Sequence, residues 1–135
     1  MANLQTDVYT IPSKFRKLEN LHIVLWVLKD LSWCICFKSL AIAMIFPTLS
    51  IAIVITWQNR KNAAELYHNL AVLCWITANS SWMMSEFFLF DQKIIFGNLL
   101  GKYIAIFPFA LGLFFLIYYY TKTYIFNKQF KFFRK

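Results

Sequence analysis

Four stretches of this chain are long enough to cross a bilayer and nearly free of charge. Lys17 and Lys38 enclose 20 residues, interrupted only by Glu19 and by Lys29-Asp30. Lys38 and Arg60 enclose 21 residues with no charge, Glu65 and Glu86 enclose 20, and Lys102 and Lys122 enclose 19. A helix needs about 20 mostly apolar residues to span a hydrocarbon core about 30 Å thick. The pattern predicts an all-α integral membrane protein with four transmembrane helices. A soluble helical bundle is the competing architecture. With 60% hydrophobic and 15% charged residues over 135 positions, it would have too few polar side chains to cover its own core.

The four helices are expected at about 21–37, 39–57, 64–88 and 103–120, within a membrane domain at 19–122. Residues 1–18 read as a cytoplasmic lead and 123–135 as a basic and aromatic cytoplasmic tail. The lead is polar, contains Pro12 and shows no cleavable signal, which makes the first span a signal anchor. Pro47, inside the second span, is expected to kink it. The outer segment 87–101, FFLFDQKIIFGNLLG, is too apolar for a solvated loop and too interrupted to span, so it is read as an interfacial amphipathic segment. Trp57 and the run Tyr118-Tyr119-Tyr120 would form an aromatic belt at the cytoplasmic boundary.

The basic residues set an orientation. With four spans, ten fall on the side of the termini: Lys14, Arg16, Lys17, Arg60, Lys61, Lys122, Lys128, Lys131, Arg134 and Lys135. Three fall on the other: Lys38, Lys93 and Lys102. The positive-inside rule places both termini in the cytoplasm of a multi-pass inner-membrane protein. The net charge of +8 then serves orientation and contact with anionic lipid, not binding of nucleic acid. Cys34, Cys36 and Cys74 fall inside spans, form no CxxC pair, and read as small apolar fillers.

Two tryptophan pairs give the spans a face. Trp26 and Trp33 bracket Asp30, and Trp75 and Trp82 bracket Asn79, with the same spacing in both copies. On a helix those offsets share one side. Ser32 and Ser81 also align, and Pro47 with Trp57 is echoed by Pro108 with Tyr118. This suggests two tandem helical hairpins, parallel about an axis along the membrane normal.

Asp30, roughly 13 Å from Lys38 along an ideal helix, is expensive to bury unless paired, hydrated or protonated. Lys29 is its neighbour but lies about 100° around the helix, so the two are not expected to face each other simply. The candidate substrate- or ion-binding set is Asp30, Asn79, the walls Trp26, Trp33, Trp75 and Trp82, and the outlying charges Lys29 and Glu86. Thr77 and Ser80 are expected to hydrogen-bond between helices. His22 and His68 lie near the cytoplasmic ends of odd-numbered spans, and two histidines on facing helices of a bundle can hold a b-type haem. Unliganded interface histidines are commoner, and no cofactor or metal is expected. Phosphate loops, HExxH and CxxC motifs are absent, so nothing supports an enzyme.

Four spans with an acid in the first is also the pattern of small multidrug transporters. Their antiparallel pairing needs little basic bias, and the bias here is ten against three. Membrane disulfide oxidoreductases carry cysteine pairs in outer loops, which this chain lacks. The leading reading is translocation of a small solute, ion or proton through a polar site in the bundle or a homo-oligomer, and the alternative is a non-catalytic accessory subunit of a larger membrane complex. A haem or redox protein is the third. A cavity reaching Asp30 would favour the first, and an Asp30 turned outward the second.

Overall fold

Each apolar window becomes a helix. The computed structural model describes residues 13–133, with side chains for 16–125 apart from Phe96. Residues 1–12 of the lead, together with Arg134 and Lys135, lie outside the described residues, as do the side chains of Lys14, Lys128 and Lys131. The order is α1 (Ser13–Cys34), α2 (Lys38–Gln58), α3 (Ala63–Phe87), a short hairpin β1 (Ile94–Phe96) and β2 (Leu99–Leu100), a 3-10 turn (Gly101–Ala105) and α4 (Ile106–Phe133).

The helices pack in chain order, α1 on α2, α2 on α3 and α3 on α4, which makes α3 central. Its buried residues, among them Ala71, Ile76, Ala78, Ser80, Met83 and Ser85, wrap around the helix instead of lining one stripe. A core of Ala41, Met83 and Phe87, with Trp33, Ile42 and Ile45 against it, joins the first three helices at one end. Lys38 Nζ reinforces that end, donating to the Phe87 carbonyl at 3.2 Å.

Helices α1 and α3 stop in the same way. The Phe37 amide bonds to the Ser32 carbonyl and the Cys36 amide to that of Trp33; Phe90 and Leu89 bond likewise to Ser85 and Glu86. This is the Schellman arrangement, which needs one residue in the left-handed region. Cys36 and Leu89 occupy it, both at φ 57°. Helix α1 therefore ends at Cys34, short of the expected 37, and begins at Ser13, where the lead was read as non-membrane. Helix α2 runs through Pro47 without interruption.

Within segment 87–101 α3 ends and a two-stranded antiparallel hairpin follows, pairing Phe96 with Leu99 across Gly97-Asn98. Gly97 adopts φ 57°, and a Gly-Asn pair between apolar residues is a hairpin signal. Ile94, Ile95 and Leu99 stay exposed. Helix α4 runs on to Phe133, so most of the expected tail continues the helix.

Two helical stretches are long and apolar enough to cross a membrane, Lys38–Gln58 and Gly101–Ile125. Helices α1 and α3 carry more charge and polarity than these. Large apolar side chains nevertheless face outward on all four helices, such as Val27 and Leu31, Phe46, Trp75, and Phe107 and Phe114.

Helices α3 and α4 pack tightly at Gly112. A Cβ there would lie 3.1 Å from Cys74 Cβ and 3.2 Å from the Ala71 carbonyl oxygen. Gly112→Val should push the helices apart and lower stability by about 1–3 kcal/mol, read as a lower melting temperature in detergent. Ala43→Val, on the exposed side of α2, should change stability by less than about 0.5 kcal/mol.

Candidate functional site

The tryptophans meet as matched pairs. Trp26 and Trp75 lie edge to face with ring centroids 4.8 Å apart, and Trp33 and Trp82 are 6.5 Å apart. The pairs come in the same order along both helices, so α1 and α3 run parallel here. Each such pair contributes about 0.5–1.5 kcal/mol beyond its area burial. Trp33 also donates its indole N–H to Glu86 Oε2 at 2.8 Å, anchoring α1 to the last turn of α3.

The polar residues between these pairs are arranged differently from expectation. Lys29, read as pointing away from Asp30, is wholly buried and is the bulkiest fully buried side chain among the described residues. Its Nζ donates to Asp30 Oδ1 at 2.5 Å. The Asp30 side chain is 38% exposed. The buried stripe of α1 thus runs His22, Lys29, Ser32, with Trp26 and Trp33 half-buried beside it. The reason is geometric. Trp26 and Trp33 are seven residues apart, and both Lys29 and Asp30 lie between them on that side of the helix. The lysine's long stem can enter the core and bend its ammonium back to the neighbouring carboxylate.

Asn79 is half-buried and makes no hydrogen bond to Asp30 among the described residues. Thr77 does not bridge helices: its hydroxyl donates to the Leu73 carbonyl at 2.8 Å, as that of Ser81 does to Thr77. A hydroxyl on a helix reaches the carbonyl one turn back more easily than a neighbouring helix. Ser80 Oγ has no partner among the described residues.

His68 is committed elsewhere. Nδ1 lies 2.9 Å from the Ala64 carbonyl oxygen, which can only accept, so Nδ1 carries the proton. In the neutral ring Nε2 then accepts from the Tyr120 hydroxyl, also at 2.9 Å. The Nε2 contact ties α3 to α4 while Nδ1 bonds within α3, and with both nitrogens engaged neither is free to ligate haem iron. His22 forms no such tie; its ring sits 6.4 Å from Trp26. Among the described residues no cluster of three or more His, Cys, Asp and Glu could hold a metal.

Cavities of about 350, 310 and 590 Å³ lie along α3, and none is lined by Lys29, Asp30 or Asn79. The middle one gathers side chains that the motif reading passed over, chiefly Asn69 and Glu19. A signal for Asn69 was present, because the 49-residue offset relating Trp26 to Trp75 also relates Asn20 to Asn69.

No protein-family model matches the chain, and no curated protein or solved structure is significantly similar to it.

The ion pair makes a specific stability prediction. Asp30→Asn leaves the buried Lys29 ammonium without a counter-charge and should cost about 3–5 kcal/mol. Adding Lys29→Met should restore most of that loss, as measured by thermal unfolding in detergent. If Asp30→Asn alone is as stable as the wild type, the ammonium is satisfied by other groups.

Proposed function

We propose that this chain is a four-span membrane protein acting as a non-catalytic accessory subunit, docked through the Asp30 side of α1 onto a helix of another membrane protein. The observation that carries this reading is the position of the Asp30 carboxylate. It is held by a buried lysine, yet it stands on the outer surface of α1, one turn before the helix ends. Lys29 occupies one of its oxygens, and the other retains acceptor capacity. Facing lipid, such a carboxylate is costly; against a partner helix bearing a hydroxyl or amide donor it is satisfied. Translocation would instead call for a cavity at Asp30, and the described cavities lie elsewhere.

The same pair supports counting α1 as a span. Lys29 and Asp30 neutralise each other in place, and Val24, Val27 and Leu31 form an exposed apolar stripe beside them. Helix α3, at 25 residues, is about 38 Å long at 1.5 Å per residue, ample for a bilayer. Its hydroxyls are largely returned to its own backbone. With four spans, the basic segments place both termini in the cytoplasm, facing anionic lipid.

Reporter fusions after Asn62 and after Lys135 should read cytoplasmic, and one near Asp91 should read external; an external C-terminus overturns the topology. The docking surface is tested by native mass measurement after extraction in mild detergent. The wild type should carry the mass of a second, different chain, and the Lys29→Met/Asp30→Asn double variant should run alone while keeping its helical circular dichroism. A wild type that runs alone overturns the reading. A partner that proves to be a second copy replaces accessory docking with self-assembly.

A further inference from the structure

A groove of about 590 Å³, the largest of the three cavities along α3, follows the seam between α3 and α4. Its walls are two ridges of every fourth residue: Leu73, Thr77 and Ser81 on α3, and Tyr103, Phe107 and Leu111 along the 3-10 turn and the start of α4. Residues four apart stack on one face of a helix, so each ridge is straight and about 12 Å long at 1.5 Å per residue. One leaflet of a hydrocarbon core about 30 Å thick is about 15 Å deep. The groove is open to the outside, since Tyr103, Ile104 and Phe107 are exposed. Its deep end closes where Gly112 packs against Cys74.

The chemistry of the lining narrows the occupant. Two hydroxyls lie in the α3 wall, yet Thr77 Oγ1 donates to the Leu73 carbonyl and Ser81 Oγ to that of Thr77, so neither has a proton left for a ligand. No charged residue lines the groove. Charge stands at one end only. Lys102 Nζ lies 5.8 Å from the centroid of the Tyr103 ring, and Lys93 is rooted beside it, its carbonyl accepting the Gly101 amide at 2.9 Å. Neither lysine has an ion-pair partner among the described residues. Asp91 is the acid at that end, and its carboxylate accepts from Gln92 Nε2 at 3.0 Å. An apolar slot close to one leaflet in length, with unpaired cations at its membrane-surface end, matches a chain of methylenes headed by a phosphate.

We propose that this groove holds an acyl chain of one phospholipid, with the lipid phosphate at Lys102. Thr77 and Ser81 keep the slot open by being small, and their hydrogen bonds to their own backbone keep polar hydrogens away from the chain. The assignment rests on the reading of α3 and α4 as spans and is independent of the docking surface at Asp30 on α1.

The test uses the full chain freed of lipid in mild detergent and then given dioleoylphosphatidylglycerol, dioleoylphosphatidylcholine or dioleoylglycerol, with retained lipid read by native mass measurement. Both phospholipids should be retained at one per chain, and dioleoylglycerol, which lacks the phosphate, more weakly. Lys102→Gln should weaken both phospholipids about fivefold, the worth of one lysine at a charged membrane surface, and leave dioleoylglycerol unchanged. Thr77→Phe, which fills the groove, should weaken all three with helical circular dichroism retained. A phosphatidylglycerol with a diazirine on its acyl chain, added at one equivalent, should label 73–81 and 103–111 of the wild type in preference to the exposed apolar side chains at 46–54 of α2, a readout that does not depend on any variant folding. Retention of dioleoylglycerol equal to that of the phospholipids, undiminished retention in folded Thr77→Phe, or labelling spread evenly onto α2 would overturn the assignment. Reporter fusions after Asn62, near Asp91 and after Lys135 separate its failure from that of the spans. If Asp91 does not fall opposite the other two, both readings fall together; if it does and no phospholipid is retained, the groove assignment alone fails.

Discussion

A helix carrying a lysine and an aspartate side by side can sit among apolar neighbours only if the two charges satisfy each other. That constraint shapes the half of the molecule around the C-terminal end of α1. Lys29 is buried completely and reaches back to Asp30, which fixes the rotation of α1 about its own axis. With that rotation set, Trp26 and Trp33 flank the buried lysine and face α3, where they meet Trp75 and Trp82. The indole of Trp33 then reaches Glu86, so a second charged group receives a partner from the same seating. Turning α1 enough to bury Asp30 instead would bring the ammonium outward and take Trp33 away from Glu86.

The four helices were legible in the sequence from their length and apolar character, although only Lys38–Gln58 and Gly101–Ile125 are apolar enough to cross a membrane. Their ends were less so. Cys36 and Leu89 adopt left-handed conformations usually assigned to glycine, and no glycine marked either stop. The Gly97-Asn98 turn was legible in principle, but the apolar residues around it matched an interfacial segment equally well. Among the site residues, the partnership of Trp26 with Trp75 and of Trp33 with Trp82 followed the repeated spacing. The choice between Lys29 and Asp30 could not be read, since both lie between tryptophans seven residues apart. Which one turns inward depends on where α2 and α3 stand, and on the lysine's ability to bury four methylenes while keeping its charge beside a carboxylate. Asn69 shares with Asn20 the 49-residue offset of the tryptophans, but a spacing alone assigns it no partner; only the packed helices show its amide nitrogen buried and unpartnered among the described residues.

Helix α3 integrates these pieces. It is the element on which α2 and α4 both pack, and the tryptophan pairs join α1 to it as well. Near Gly112 the backbones of α3 and α4 come together closely, and at its start His68 is fastened to Tyr120. Small residues where helices approach, and hydroxyls folded back onto their own backbone, leave a central helix with little polar character to expose. This accounts for how a segment containing Thr77, Asn79, Ser80 and Ser81 is tolerated among apolar helices.

The Trp26–Trp75 contact divides the α1–α3 seam. Trp75 stands at the midpoint of α3, which runs Ala63–Phe87. On one side of the pair lie Lys29, Asp30, Asn79 and Glu86, which are largely engaged within the chain or turned to its surface. On the other lie buried His22 and half-buried Asn69, each with a side-chain nitrogen that has no partner among the described residues. The two ends therefore differ in kind. The outer end has charges whose pairing is already made and whose remaining capacity faces outward, the condition for docking against protein. The end near the start of α1 has side-chain nitrogens that are closed off from accessible space and without partners among the described residues. A continuous polar path would need these two regions to communicate, and two indoles packed edge to face at 4.8 Å fill the point where they would meet.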